Sequence, residues 1–125
     1  MGSGGKKNLR YRDAADERQY MLSGDYEVYE KVGEPIGAVT FHYHDFYELI
    51  YIMEGEFSSL IEDRALRMRK GDFLLIDKNV MHKYHPTGKS MASSRRIILW
   101  LSDQMLRERA EGEPFLAECF WGEGP

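Results

Sequence analysis

From Tyr26 onward apolar and polar positions alternate in short runs, each stopped by turn-forming residues. The runs predict strands over Tyr26–Val32, Ala38–Tyr43, Tyr47–Glu54, Phe57–Glu62, Ala65–Arg69, Phe73–Ile76, Met81–His85 and Arg95–Leu101. Between them stand Gly33 and Pro35, Asp45, Gly55, Asp63-Arg64, Lys70-Gly71-Asp72, Asp77-Lys78-Asn79 and Pro86-Thr87-Gly88, residue types suited to tight turns. Many short strands at near-regular spacing predict an all-β sandwich or barrel. Helical patterning is confined to two places. Asp13–Leu22 has Asp13 as a cap with Asp16 and Glu17 in the first turn, and Ser102–Ala110 has Ser102 or Asp103 as its cap. The first dozen residues are polar and expected to fray. The expected organisation is a partly flexible arm over residues 1–24, a barrel over 25–101, and a short helix with a tail over 102–125.

Strand parity sorts the chemistry. Side chains alternate between faces, so His42, His44, Glu48, Ile50 and Ile52 fall on one side and Tyr47, Leu49, Tyr51 and Met53 on the other. Both sides are partly apolar, which implies a barrel wall covered on its outer face as well, by another sheet or a partner subunit.

Length and charge narrow the class. The 125 residues suffice for one domain, and 42% hydrophobic with 30% charged residues is globular composition. The net charge of −4 argues against a nucleic-acid module, and no apolar run reaches the length of a membrane span. No apolar segment resembling a secretion signal follows Met1-Gly2-Ser3-Gly4-Gly5. One cysteine, Cys119, makes neither an intrachain disulfide nor a thiolate metal site, so a cytoplasmic location is expected.

The candidate chemistry is concentrated in His42-x-His44-x3-Glu48 and, from another strand, His82. Two imidazoles two residues apart point the same way, a carboxylate can join them, and a third imidazole can arrive from across the barrel. Three nitrogens and one oxygen suit Zn, Fe, Mn, Ni or Co in a partly open site. The competing reading is a pocket in which the same groups hydrogen-bond an effector, the backbone or water without a metal. Glu48 could ligate, accept hydrogen bonds from a sugar hydroxyl or an amine, or act as a base if burial raised its pKa. Trp100 is a candidate platform for a sugar ring, weighed against plain core packing. His85, Tyr43 and Lys83 are expected outside the pocket, and Arg67 and Arg69 on a solvated strand face. Phe115-Leu116-Ala117 and Phe120-Trp121 around Cys119 are too apolar to float free. No Ser-His-Asp order, phosphate loop or nucleotide fingerprint is present.

These residues resemble the cupins. His42, His44, Glu48 and Gly55 match the first cupin motif, H-x-H-x3-E-x6-G, although its leading glycine is displaced, Gly37 lying one residue too close. Gly71 and His82 match the second, G-x5-P-x-G-x2-H-x3-N, with Asp77 in place of its proline, Asn79 of its second glycine and Pro86 of its final asparagine. The resemblance implies a small double-stranded β-helix barrel in which His42, His44, Glu48 and His82 are the metal positions. A narrower resemblance, carried by Tyr20–Val28, His44–Leu49, Gly71–Ile76, His82 and Arg96–Leu101, is to the N-terminal sensor domain of AraC-type transcription regulators. It implies a barrel that binds a small effector, such as a sugar, and helps form a homodimer. A separate pair of helix-turn-helix motifs, not found in these 125 residues, would contact DNA. The leading expectation is therefore the sensing half of such a regulator, with a divalent metal an option it does not require, and no enzymatic activity. A stand-alone metal-dependent cupin enzyme of dioxygenase or isomerase type is the alternative, and a binding or storage cupin the third reading.

Overall fold

The computed structural model describes residues 9–13, 18–33, 41–84 and 94–122, and of residues 9–13 and 84 the backbone alone. Among these residues eight strands run in chain order: β1 (Leu9–Asp13), β2 (Tyr26–Val32), β3 (Phe46–Glu54), β4 (Glu56–Ile61), β5 (Arg64–Arg69), β6 (Phe73–Ile76), β7 (His82–Tyr84) and β8 (Arg95–Ser102). Two helices follow, α1 (Asp103–Gly112) and α2 (Pro114–Trp121). The strands form a five-stranded sheet in the order β1-β2-β8-β3-β6 and a three-stranded sheet in the order β5-β4-β7. All pairs are antiparallel except β1 with β2.

The core lies between the inner faces of the sheets. Ile50, Ile52 and Ile76 from the larger sheet pack with Phe57 and Met68 from the smaller one. A second cluster, Tyr29, Phe46, Ile98 and Trp100, fills one end and is joined by Met21. The register that builds this face sets Glu48 opposite Trp100, Ile50 opposite Ile98 and Ile52 opposite Arg96. Arg96 closes the other end, its guanidinium bonded to the Gly33 carbonyl and Ser94 Oγ and lying over the Phe57 ring. Gly55, at φ 78°, lets the chain turn from β3 into β4 and so from one sheet to the other.

The predicted strands are found within a residue or two, with two exceptions. Of Ala38–Tyr43 only residues 41–43 are described, and they contribute a single bridge, His42 to His82. His85, the predicted end of β7, lies outside the described residues. The helix expected over Asp13–Leu22 is not formed where it is described. Asp13 ends β1, residues 14–17 lie outside the described residues, and 18–22 are irregular. Glu27 explains the difference. Its carboxylate accepts from the Leu22 and Ser23 amides and from Arg18, whose guanidinium also reaches the Tyr20 carbonyl. Those amides point at a side chain rather than at a carbonyl four residues back.

The helix expected over Ser102–Ala110 is α1, capped as foreseen by Ser102, whose Oγ accepts from the Met105 amide at 3.0 Å. The apolar tail forms a second helix, α2, begun by Pro114 and ended by Gly122 at φ 58°. It packs onto the outside of β3: Trp121 Nε1 donates to Tyr47 Oη at 2.7 Å, and Tyr47 donates to Asp103 at 3.1 Å. Asp103 also receives Lys78 and Arg107. Burial alone would raise the Asp103 pKa, but Arg107, Lys78 and Tyr47 together hold it below the ordinary 3.8.

Two predictions follow from this packing. Ile52 is fully buried, so Ile52→Ala should cost about 2–5 kcal/mol in urea unfolding, against roughly 1 kcal/mol for Ser102→Ala. Because the Asp103 pKa is depressed by folding, its contribution is present above 3.8 and fades as pH falls through the lower folded value. The stability of Asp103→Asn should accordingly lie below wild type at neutral pH and converge with it in strong acid.

Candidate ligand and metal site

The site is built by backbone first. His42 and His82 form an antiparallel bridge, each amide bonded to the other's carbonyl at 3.0 and 2.9 Å. The Asn79 amide donates to the His44 carbonyl at 2.7 Å, which clips the turn before β7 to the segment leading into β3. Asn79 adopts φ 65°, the left-handed conformation for which the second cupin motif carries glycine and which asparagine tolerates. These links bring residues 42, 44 and 82 together at one pole of the barrel.

There the imidazoles of His42, His44 and His82 converge, with one nitrogen from each lying within 4.8 Å of the others. His44 and His82 are buried, and His42 partly so. Glu48 projects from β3 into the same pole, its Oε1 3.0 Å from His44 Nε2 and 3.8 Å from His82 Nε2. Phe46 lies flat on the His44 ring at 4.0 Å and contacts Trp100 at 4.6 Å.

The hydrogen bonds orient the rings. His44 Nδ1 donates to the Phe46 carbonyl at 3.1 Å, and His82 Nδ1 donates to the Val80 carbonyl at 2.8 Å. With Nδ1–H fixed by the backbone, both rings turn Nε2 toward the pole; His82 Nε2 is then placed to ligate a metal, whereas His44 Nε2 donates to the Glu48 carboxylate at 3.0 Å and would give up that proton on ligating. His82 Nε2 is buried, and among the described residues it has no hydrogen-bond partner, since 3.8 Å to Glu48 is charge contact only. That orphaned nitrogen, with the imidazoles of His42 and His44 converging on it, fits a divalent ion suited to nitrogen ligands. The three histidines could hold the ion, while Glu48 in this geometry is engaged with His44.

The electrostatics correct one expectation. Burial pushes the Glu48 pKa up, but His44 and His82 beside it outweigh burial and hold it well below the usual carboxylate range. Glu48 is therefore a charged acceptor rather than a base of raised pKa. For His82, burial acts downward and is overcome by Glu48 and the Val80 carbonyl, so its pKa lies above 6.5.

Trp100, foreseen as a platform or a core residue, is 2% exposed and wedged against Tyr29, Phe46 and the Arg18 guanidinium. It forms the wall beside the pole. Tyr43 stands 62% exposed, as expected, and Arg67 and Arg69 are exposed on β5. Sequence reasoning missed Phe46, although it shares the parity of His44 and Glu48. It also missed Arg18 and Glu27, whose pairing across an irregular segment leaves no periodic signal. A cleft of about 490 Å³ opens beside the pole between the 19–24 segment, residues 43–46 and the start of α1.

Two facing sheets with three histidines and a carboxylate converging at one pole define a cupin-type barrel. The chain belongs to the AraC-like ligand binding domain family, whose model matches residues 33–116, more than half its length. Solved structures agree on the fold. The cupin domain of Schizosaccharomyces pombe Cnp3 matches at a TM-score of 0.56 with 14% identity, covering 74% of this chain and 67% of that one. A protein of unknown function from Streptococcus pyogenes matches at 0.52 with 14% identity, over 74% and 80%. The DMSP lyase DddQ of Ruegeria pomeroyi matches at 0.52 with 25% identity, over 65% of this chain and 40% of the lyase. Comparison with curated proteins gives no match. Among the described residues no helix is long and apolar enough to cross a membrane.

The convergence of the imidazoles is directly testable. Titration with Co²⁺ or Zn²⁺ should saturate at one ion per chain, and His82→Ala or His44→Ala should weaken binding by about tenfold or more. Uptake that is unaltered in both variants would place the ion elsewhere.

Proposed function

We propose that this chain is the effector-binding and dimerisation part of an AraC-type transcription regulator. In this reading DNA contact is made by a helix-turn-helix portion outside these 125 residues. The observation that carries the proposal is the family match over a barrel whose interior is polar at one pole and apolar beyond it. A ligand entering at that pole meets nitrogen donors and acceptors and a carboxylate, with the aromatic edges of Phe46 and Trp100 alongside. That lining suits a small hydroxylated molecule of sugar type, whose hydroxyls bond the polar groups and whose ring faces the aromatics. Occupancy would bias the barrel and the elements packed on it between two arrangements, which is all that a sensor requires.

A second reading has its own support. Three imidazoles with one nitrogen of each within 4.8 Å also suit a metal-dependent cupin enzyme, and the structurally similar DddQ is a lyase. In that case a divalent ion would supply Lewis acidity, the three histidines would hold it, and Glu48 would stand beside it as an anionic acceptor.

Thermal unfolding of the full chain against a panel of monosaccharides, with and without chelator, separates the two. The sensor reading predicts a rise in Tm of several degrees that survives chelation and is lost in Glu48→Gln. Stabilisation by metal alone, with no sugar response, would favour the enzyme reading.

A further inference from the structure

The cleft beside the pole has a chemistry of its own. Its volume of about 490 Å³ falls within the roughly 300–1,000 Å³ of small-molecule sites. The middle of the barrel, by contrast, is filled by Ile50, Ile52, Phe57, Met68 and Ile76. The cleft meets the pole at His44 and the helical layer at Asp103 and Gln104.

Its walls are held by bonds. The Glu27 carboxylate fixes the 19–24 segment by accepting from the Leu22 and Ser23 amides and from Arg18. The exit of that segment is pinned twice: the Asp25 amide donates to Ser23 Oγ at 3.1 Å, and the Ser102 amide donates to the Asp25 carbonyl at 2.9 Å. Met21 anchors the segment in the cluster of Tyr29, Phe46, Ile98 and Trp100. A space bounded in this way exists before a ligand arrives, so filling it costs little ordering entropy.

Charge inside the cleft is one-sided. Among the described residues it is lined by two carboxylates, Asp45 and Asp103, and by no lysine or arginine. Asp103 is already engaged by Tyr47, Lys78 and Arg107. The charge of nearby Arg18 is matched by Glu27 at 2.8 Å. Asp45 is different: it is exposed, and among the described residues it has no hydrogen bond or ion pair. Two tyrosines line the same space, Tyr20 and Tyr43, each 62% exposed. An aromatic face attracts cations, and Tyr20 already draws one, the Arg18 guanidinium 5.7 Å from its ring centroid. An anion would find no countercharge in this lining, and a hard divalent ion would find one uncommitted carboxylate where it needs several oxygens. A single carboxylate with aromatic walls suits a soft cation carried on an apolar body.

We infer that the cleft is a second binding site of this chain, for a small organic ammonium ion, with Asp45 as its countercharge and Tyr20 and Tyr43 as its aromatic walls. The site stands on the cleft alone and serves whether the pole holds a sugar or a metal. It goes beyond the sensor reading, because a ligand there adjoins both His44 and the first residues of α1 and gives the helical layer an input separate from the imidazoles.

Benzylamine and benzyl alcohol are alike in shape and differ in charge, and their binding to the full chain can be read by proton–nitrogen NMR titration. Benzylamine should bind about threefold or more tightly than the alcohol, with the largest shifts at the amides of residues 43–45 and 103–104. Asp45→Asn should erase that preference, and Tyr43→Ala should weaken amine binding about two- to fivefold. Both side chains are exposed, so the variant spectra away from the cleft should match wild type. Asp63→Asn, which alters an exposed acid on the turn between β4 and β5, should leave the preference intact. Equal binding of amine and alcohol by wild type overturns the proposal without recourse to any variant. So does a preference that survives Asp45→Asn or that Asp63→Asn also removes. Amine shifts centred on His42 and His82 instead of the cleft would assign the amine to the pole and overturn the second site.

Discussion

Register between β3 and β8 is the constraint on which the rest of the molecule depends. It faces Glu48 with Trp100, Ile50 with Ile98 and Ile52 with Arg96, so that one strand supplies a polar pole, an apolar middle and a closed far end. A slip of one residue would carry all three inward side chains to solvent and turn Leu49 and Tyr51 into the core. The hydrophobic content of both faces makes such a slip less costly than usual. The register is therefore guarded by features that alternation does not supply: the Arg95–Glu54 ion pair between β8 and β3 at one end, and the bond from Tyr47 of β3 to Asp103, which follows β8, at the other.

The same strand couples inside to outside. Glu48 reaches the histidines while its neighbour Tyr47 receives Trp121 and bonds Asp103, so that consecutive residues belong to the site and to the helical layer. A rearrangement at the pole that moved β3 would be felt at α1 and α2 with no intervening element. The pole itself is stiff: backbone carbonyls fix two of the imidazoles and Phe46 stacks on one of them. Ligand recognition by prepositioned groups costs less ordering entropy than recognition by free side chains.

Much of this was legible in the chain. Period-two alternation locates β2 and β6 to the residue, and the histidine and carboxylate spacing places three of the four polar groups on one face. His82 arrived from the second motif, and Asn79 in a left-handed conformation shows why the departure from glycine there is tolerated. The failures share a cause. The irregular 18–22 segment is held by the Glu27 carboxylate, a long-range bond that local helix signals cannot anticipate. The Pro114 and Gly122 punctuation around α2 was present in the sequence but overshadowed by the brevity of the segment. The depressed Glu48 pKa depends on which side of the carboxylate the imidazoles stand, and spacing does not reveal that.

The central claim is that the three histidines and Glu48 form one internal binding centre. Histidine-selective NMR of the full chain reads it most directly, because each imidazole nitrogen reports its own proton and its own ligand. The account predicts an Nδ1–H tautomer for neutral His82, hydrogen-bonded protons toward Phe46 and Glu48 on His44, and joint movement of the His42, His44 and His82 signals, largest at Nε2 for the latter two, as Zn²⁺ or a stabilising monosaccharide is added. An Nε2–H tautomer of His82, or ligands that stabilise the chain while these signals stay in place, would contradict it.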